Sequence, residues 1–186
     1  MRRAPDMTID RALLLQALAL TEPYGLLSDV KLQQLVFLCE LQMFNARLKG
    51  FHFEFFRFAY GAFSKDLDND LTSLRRKGRV ENFSVSESGM ETVNLVLRAG
   101  GESDTNRKVL EIMHAVIGTY GPLEASAVTK AVEQVDVSTP DQPEFKLAIE
   151  HISFHTILLV PERIEVDSEF TLPAASLSKL NAAMGY

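Results

Sequence analysis

Cysteine occurs once, at Cys39, and tryptophan not at all in these 186 residues. One thiol closes no internal disulfide, which points to a reducing compartment. Seven prolines and ten glycines are too few for a collagen-like or low-complexity chain. No run near the start approaches the roughly 20 apolar residues of a membrane-spanning helix; the longest uncharged stretch there is 12–20. Arg2 and Arg3 precede it, but Asp6, Asp10 and Arg11 interrupt the approach and no small-residue cleavage site follows. The expectation is a cytoplasmic protein without membrane contact. A Walker-type glycine loop, a dinucleotide fingerprint and a Gly-x-Ser-x-Gly elbow are missing as well, so neither an enzyme nor a bound cofactor is expected.

What is present is ordinary globular composition, with 46% hydrophobic and 24% charged residues. A chain of this length is expected to fold as a single domain over 1–186, burying roughly 70% of its extended surface. The net charge of -6 argues against a nucleic-acid coat protein. The charge is uneven: residues 1–100 hold 13 basic and 12 acidic groups, residues 101–186 hold 6 and 13. Local basicity is confined to Arg75, Arg76, Lys77 and Arg79. Phe51, Phe53, Phe55, Phe56, Phe58, Tyr60 and Phe63 crowd together in the same half.

Hydrophobic spacing predicts a helix over 9–20 capped by Thr8, and a second from Ser28 to about 49–50. Leu32, Leu35, Val36, Cys39 and Met43 form an inner stripe of the second, with Leu38, Leu41 and Phe44 widening it. Cys39 on that stripe reads as a buried, inert thiol. Residues 51–55 alternate as a strand with phenylalanines inward, and 60–63 read as a turn. Gly61 is expected in a conformation that other residues resist, and Phe63 is expected against Leu35 and Cys39. Ser64 caps a helix with Leu67, Leu71 and Leu74 inward and Gly78 as its stop. Residues 80–86 and 92–98 read as a β-hairpin, which completes a winged-helix-like half over 8–98. A mainly helical half over 103–186 follows: helices over 106–120 and 123–135, a loop over 137–143, and a short helix through Phe145, Ala148, Ile149 and Ile152. An extended segment over 156–166 and a terminal helix over 174–184 complete it. The fold class is α+β, mainly helical.

Chemical motifs are sparse. Ser64 reads as a helix cap, not a nucleophile, because no base is marked near it. His151 and His155 have the spacing of helical zinc ligands, but no third ligand stands nearby, so no metal site is expected. His52 and His114 have no triad partner. The aromatic run fits core packing better than base stacking. The 75–79 cations read first as the charged end of a helix, and second as phosphate contacts beside a wing.

The run Lys31-Leu32-Gln33-Gln34-Leu35-Val36-Phe37 resembles the Panacea, or SocA-like, antitoxin family. Arg57-Phe58-Ala59-Tyr60-Gly61-Ala62-Phe63-Ser64 is similar to that family's aromatic turn, and Leu67, Leu71, Leu74, Gly78 and Val80 follow it. Val109-Leu110 and Tyr120-Gly121-Pro122-Leu123 resemble its later helices. The likeness spans about 9–135 and is closest to divergent, phage-associated members, since Gln34, Phe37 and Ala62 replace a usual lysine, tyrosine and proline. The resemblance implies a non-enzymatic protein that binds a cognate toxin or another neighbouring-gene product. The alternative reading is a winged-helix DNA-binding regulator. Lys31, Arg57, Tyr60, Lys65, Arg75, Arg76, Lys77 and Arg79 are the candidates for partner or nucleic-acid contact. The oligomeric state stays open, a homodimer included.

Overall fold

The computed structural model describes residues 2–25, 28–139 and 141–186. Its centre is a pair of helices that are apolar on nearly every side, α1 (Ala4–Thr21) and α2 (Asp29–Asn45). Leu13, Leu14, Leu15 and Leu18 of α1, and Leu32, Leu35, Val36 and Phe37 of α2, are all 0% exposed. A helix without a polar face must be covered all round. The cover comes from α3 (Lys65–Arg76), α4 (Glu87–Gly100), α5 (Asp104–Tyr120), α6 (Ala125–Glu133) and α7 (Ala174–Met184). Helices α3, α4, α5 and α7 pack on α1, while α5 and α6 pack on α2. The protein is therefore a mainly helical α+β fold.

The strands are short and peripheral. They are β1 (Leu48–Lys49), β2 (Phe55–Phe58), β3 (Gly61–Phe63), β4 (Val80–Glu81), β5 (Ser84–Val85), β6 (Asp136–Thr139), β7 (Gln142–Ala148), β8 (Ile157–Leu159) and β9 (Ser168–Glu169). In the three-stranded sheet β2 is central, antiparallel to β3 on one side and β8 on the other. Parallel β1–β9 and the hairpins β4–β5 and β6–β7 make up the remainder.

Helix ends follow capping chemistry. Ser28 Oγ accepts the Lys31 N–H at 3.1 Å and Ser64 Oγ accepts the Leu67 N–H at 3.4 Å, as expected. Gly78 ends α3 at φ +68° and Gly61 sits at φ +90°. The first helix starts earlier than predicted. Arg3, not Thr8, begins it: the Arg3 N–H donates to Asp6 Oδ2 at 2.9 Å, closing the first turn. Thr8 lies a turn inside, buried, its hydroxyl bonding Asn181 Oδ1 at 2.9 Å.

Four predicted elements are corrected. Residues 92–98 are not a wing strand but the body of α4. Ser86 Oγ accepts the Gly89 N–H at 3.1 Å, so the serine-rich segment read as a hairpin turn is a helix cap. Thr92, Val93, Val96, Ala99 and Gly100 are then buried at helical spacing. The hairpin itself shrinks to β4–β5, with Asn82 at φ +55° in its turn. Of the predicted loop over 137–143, residue 140 lies outside the described residues, but 137–139 and 142–143 are strand and Phe145 is not helical: they belong to the paired β6 and β7, followed by a short 3-10 turn at Ile149–His151. Finally, the aromatic strand begins at Phe55. Phe51 and Phe53 are buried as predicted, but among the described residues they belong to no strand.

Candidate protein-binding surface

The start of α2 organises the surface. Two consecutive glutamines reach the outer edge of β3. Gln34 Nε2 donates to Ala62 O at 2.9 Å, and Gln34 Oε1 accepts the Ala62 N–H at 3.0 Å. Gln33 repeats the pattern on Ser64, at 3.1 Å and 2.9 Å. In an antiparallel ladder alternate residues turn their backbone groups outward, so Ala62 and Ser64 would otherwise leave that edge open. The two side-chain amides stand in for a missing strand. Lys31, 1% exposed, donates from Nζ to Gly121 O at 2.6 Å and holds the end of α5. Its burial pulls the ammonium below the usual lysine range, against the opposing pull of Glu124.

Gly61 is required here twice over. Its φ is left-handed, and a Cβ at this position would lie 2.3 Å from Gln34 Oε1. Arg57, 5% exposed, is a strut inside the same hairpin. Its Nη1 donates to Phe58 O at 2.6 Å and its Nη2 to Glu133 Oε1 at 3.1 Å, while its guanidinium lies 5.3 Å from the Phe154 ring centre.

Outside this frame stands a patch of exposed apolar side chains. Phe58 is 39% exposed, Tyr60 62%, Phe154 59% and Ile157 55%. All four lie on or beside the β3–β2–β8 sheet: Phe58 is 6.1 Å from the His155 ring, Phe154 lies on the Arg57 guanidinium, and Ile157 pairs with Phe56 across the sheet. Phe63 is half-buried with its ring on Phe56 and Phe58, each 5.4 Å away. The ring that reaches α2 is Phe55, 5.2 Å from Phe37. Beside the patch opens a cavity of about 250 Å³. Val30, Phe58, Tyr60, Ala62 and Phe63 form its apolar wall, and Gln33, Gln34, Asp29 and Asp68 its polar one.

The basic cluster is engaged within the fold. Arg79 Nε donates to Ala183 O at 2.7 Å, and Lys77 Nζ donates to Gly185 O. Both therefore hold the C-terminal end of α7, where the helix dipole favours cations. Lys77 also lies 4.2 Å from the Tyr186 ring centre. Arg75 pairs with Asp29 at 3.2 Å and stacks on Phe83 at 4.7 Å. Of the predicted contact residues, Tyr60, Lys65 and Arg76 are exposed. The structure brings Arg57 and Tyr60 to one hairpin and leaves Lys65, Arg75, Arg76, Lys77 and Arg79 along α3 and its exit.

His151 and His155 do not share a helix: the first ends a 3-10 turn, and the second sits at φ +68° with its N–H on Arg57 O at 2.7 Å. Among the described residues no cluster of metal-ligating side chains occurs, and no helix is long and apolar enough to cross a membrane.

A separate buried ionic network joins α1 to α3. Asp10, 0% exposed, accepts from Arg2 Nη1 at 2.8 Å and from the His52 N–H at 2.9 Å. Asp70 accepts from Arg2 and Arg11, both at 2.7 Å. Burial lifts the Asp10 carboxyl above its ordinary value despite these partners. Glu40, also 0% exposed, has no well-formed hydrogen bond on either carboxyl oxygen. Burial, reinforced by the Asp10 charge, pushes it well above the usual range. Cys39 is buried and its thiol is pushed up by burial, which makes it inert.

No family model, curated protein or solved structure matches the chain.

Proposed function

We propose that the protein is a non-enzymatic protein-binding module that presents the β3–β2–β8 face to its partner. One observation carries this reading: Phe58, Tyr60, Phe154 and Ile157 are exposed apolar side chains on or beside one small sheet, and Phe58 and Tyr60 line an apolar cavity. Large exposed apolar side chains of this kind are costly to leave in water and are enriched at interfaces. The antitoxin resemblance supplies the partner class, the toxin-like product of an adjacent gene. A net charge of -6 suits a basic partner by speeding encounter. The DNA-binding alternative is less favoured, because Arg75, Lys77 and Arg79 already hold intramolecular partners.

The test is co-expression of the chain with the product of the neighbouring gene, read by growth and by co-purification. Rescue of growth and a stable complex are expected, and both should be lost with Phe58→Ser plus Tyr60→Ser. A complex that forms equally well with the double variant contradicts the reading.

A further inference from the structure

We infer, resting on the protein-binding reading above, that the cavity between α2 and β3 receives one large apolar side chain of a partner segment, with an adjoining Lys or Arg of that segment against Asp68. Three observations converge on this occupant. The cavity holds about 250 Å³, below the roughly 300–1,000 Å³ of sites for drug-sized ligands, so it fits a side chain better than a cofactor. Its wall is built from Val30, Phe58, Ala62 and Phe63, which offers a large apolar anchor a dry seat.

The charge at its mouth is acidic. Among the described residues Asp29 and Asp68 are the carboxylates that line it, and Asp29 is shared with Arg75 at 3.2 Å. Asp68 is exposed and has no ion pair among the described residues. Of the neighbouring charges on α3, Asp66 pairs with Arg2 at 3.2 Å and Lys65 is exposed. A partner cation reaching Asp68 thus meets an unpaired carboxylate.

The mode of binding is equally constrained. Strand addition to β3 is blocked, because the Ala62 and Ser64 backbone groups that a visiting strand would use are taken by Gln34 and Gln33. Recognition at this edge must therefore run through side chains.

The probe is a capped peptide, Gly-Ser-Gly-Phe-Lys-Arg-Gly-Ser-Gly, titrated into the isotopically labelled protein and followed by amide chemical shifts. Saturable shifts are expected at Val30, Gln34, Ala62 and Phe63. Replacing the peptide's Phe by Ala, or its Lys-Arg by Glu-Glu, should weaken binding about tenfold each, the equivalent of roughly 1.4 kcal/mol. Val30→Phe, which fills the cavity, and Asp68→Asn should weaken it similarly while melting near the parent. Equal binding of all three peptides, shifts mapping elsewhere, or no shifts at millimolar peptide overturns the inference. The neighbouring-gene complex separates the two readings. If it survives Val30→Phe but not Phe58→Ser plus Tyr60→Ser, the face binds without using the cavity. If it survives both, the face itself is wrong.

Discussion

Two halves of one aromatic run behave oppositely. Phe51, Phe53 and Phe55 are 0% exposed, whereas Phe58 and Tyr60, a few residues later, stand 39% and 62% exposed. Residue type does not distinguish them; cover does. The first three phenylalanines belong to the core cluster around α1 and α2. Phe58 and Tyr60 belong to a hairpin whose outer edge is closed by Gln33 and Gln34 but whose own outward rings are left partly uncovered. The hairpin is held rigidly from behind and left open in front, as a recognition surface requires.

The sharpest break of that comparison is a matched pair of truncations. Phe53→Ala should cost about 3–5 kcal/mol through lost burial and a cavity. Phe58→Ala should cost much less, about 1 kcal/mol, because its ring is 39% exposed and loses only its contacts to Phe56, Phe63 and His155. Chemical denaturation of both variants measures the contrast, and similar losses would erase it. Next in size is Gly61→Val, expected to cost a few kcal/mol from left-handed backbone strain and collision with Gln34. The melting temperature reports it.

Ser64→Ala should cost about 1 kcal/mol by removing the α3 cap. Partner affinity should then fall no further than folding does. If this variant melts like the parent yet loses its partner, Ser64 is itself a recognition residue and not only a cap.

The smallest effect at low pH, and one that grows, is expected for Glu40→Gln. Burial and then the Asp10 charge raise the Glu40 carboxyl well above its ordinary value. The folded protein therefore keeps a proton that the unfolded chain releases above about pH 4.3. This group's penalty is absent below that pH and increases as pH rises toward the folded value. Glu40→Gln abolishes the titration, so its melting temperature should gain on the parent as pH rises above about 4.3, until the folded value is passed. A constant difference across that range would mean that Glu40 is ionised in the fold.

Much of the helical frame was legible because its signals are local. Ser28, Ser64 and Gly78 sit where capping chemistry puts them, and Ala174–Met184 follows directly from its apolar spacing. The error over 92–98 arose because Thr92, Val93 and Val96 are β-branched, and tertiary burial on α1 overrode that preference. The candidate surface was only half legible. Tyr60 was found from its motif, but Ile157 reaches the sheet only through the β2–β8 pairing and Phe154 only through Arg57, about a hundred residues away in the chain. Nor could spacing reveal that Gln33 and Gln34 act as a surrogate strand, since their partners lie 31 and 28 residues downstream. Lys31, Arg57, Lys77 and Arg79 were singled out for their charge. The structure employs all four as internal braces.

The central claim is that the partner is held by the aromatic face and not by the surface cations. Calorimetric titration of the neighbouring-gene product into two double variants tests it most directly. Phe58→Ala plus Tyr60→Ala should lose about a hundredfold in affinity, equivalent to roughly 2.7 kcal/mol, while Lys65→Ala plus Arg76→Ala should bind like the parent. The reverse pattern, with the cation pair losing affinity and the aromatic pair keeping it, would contradict the account.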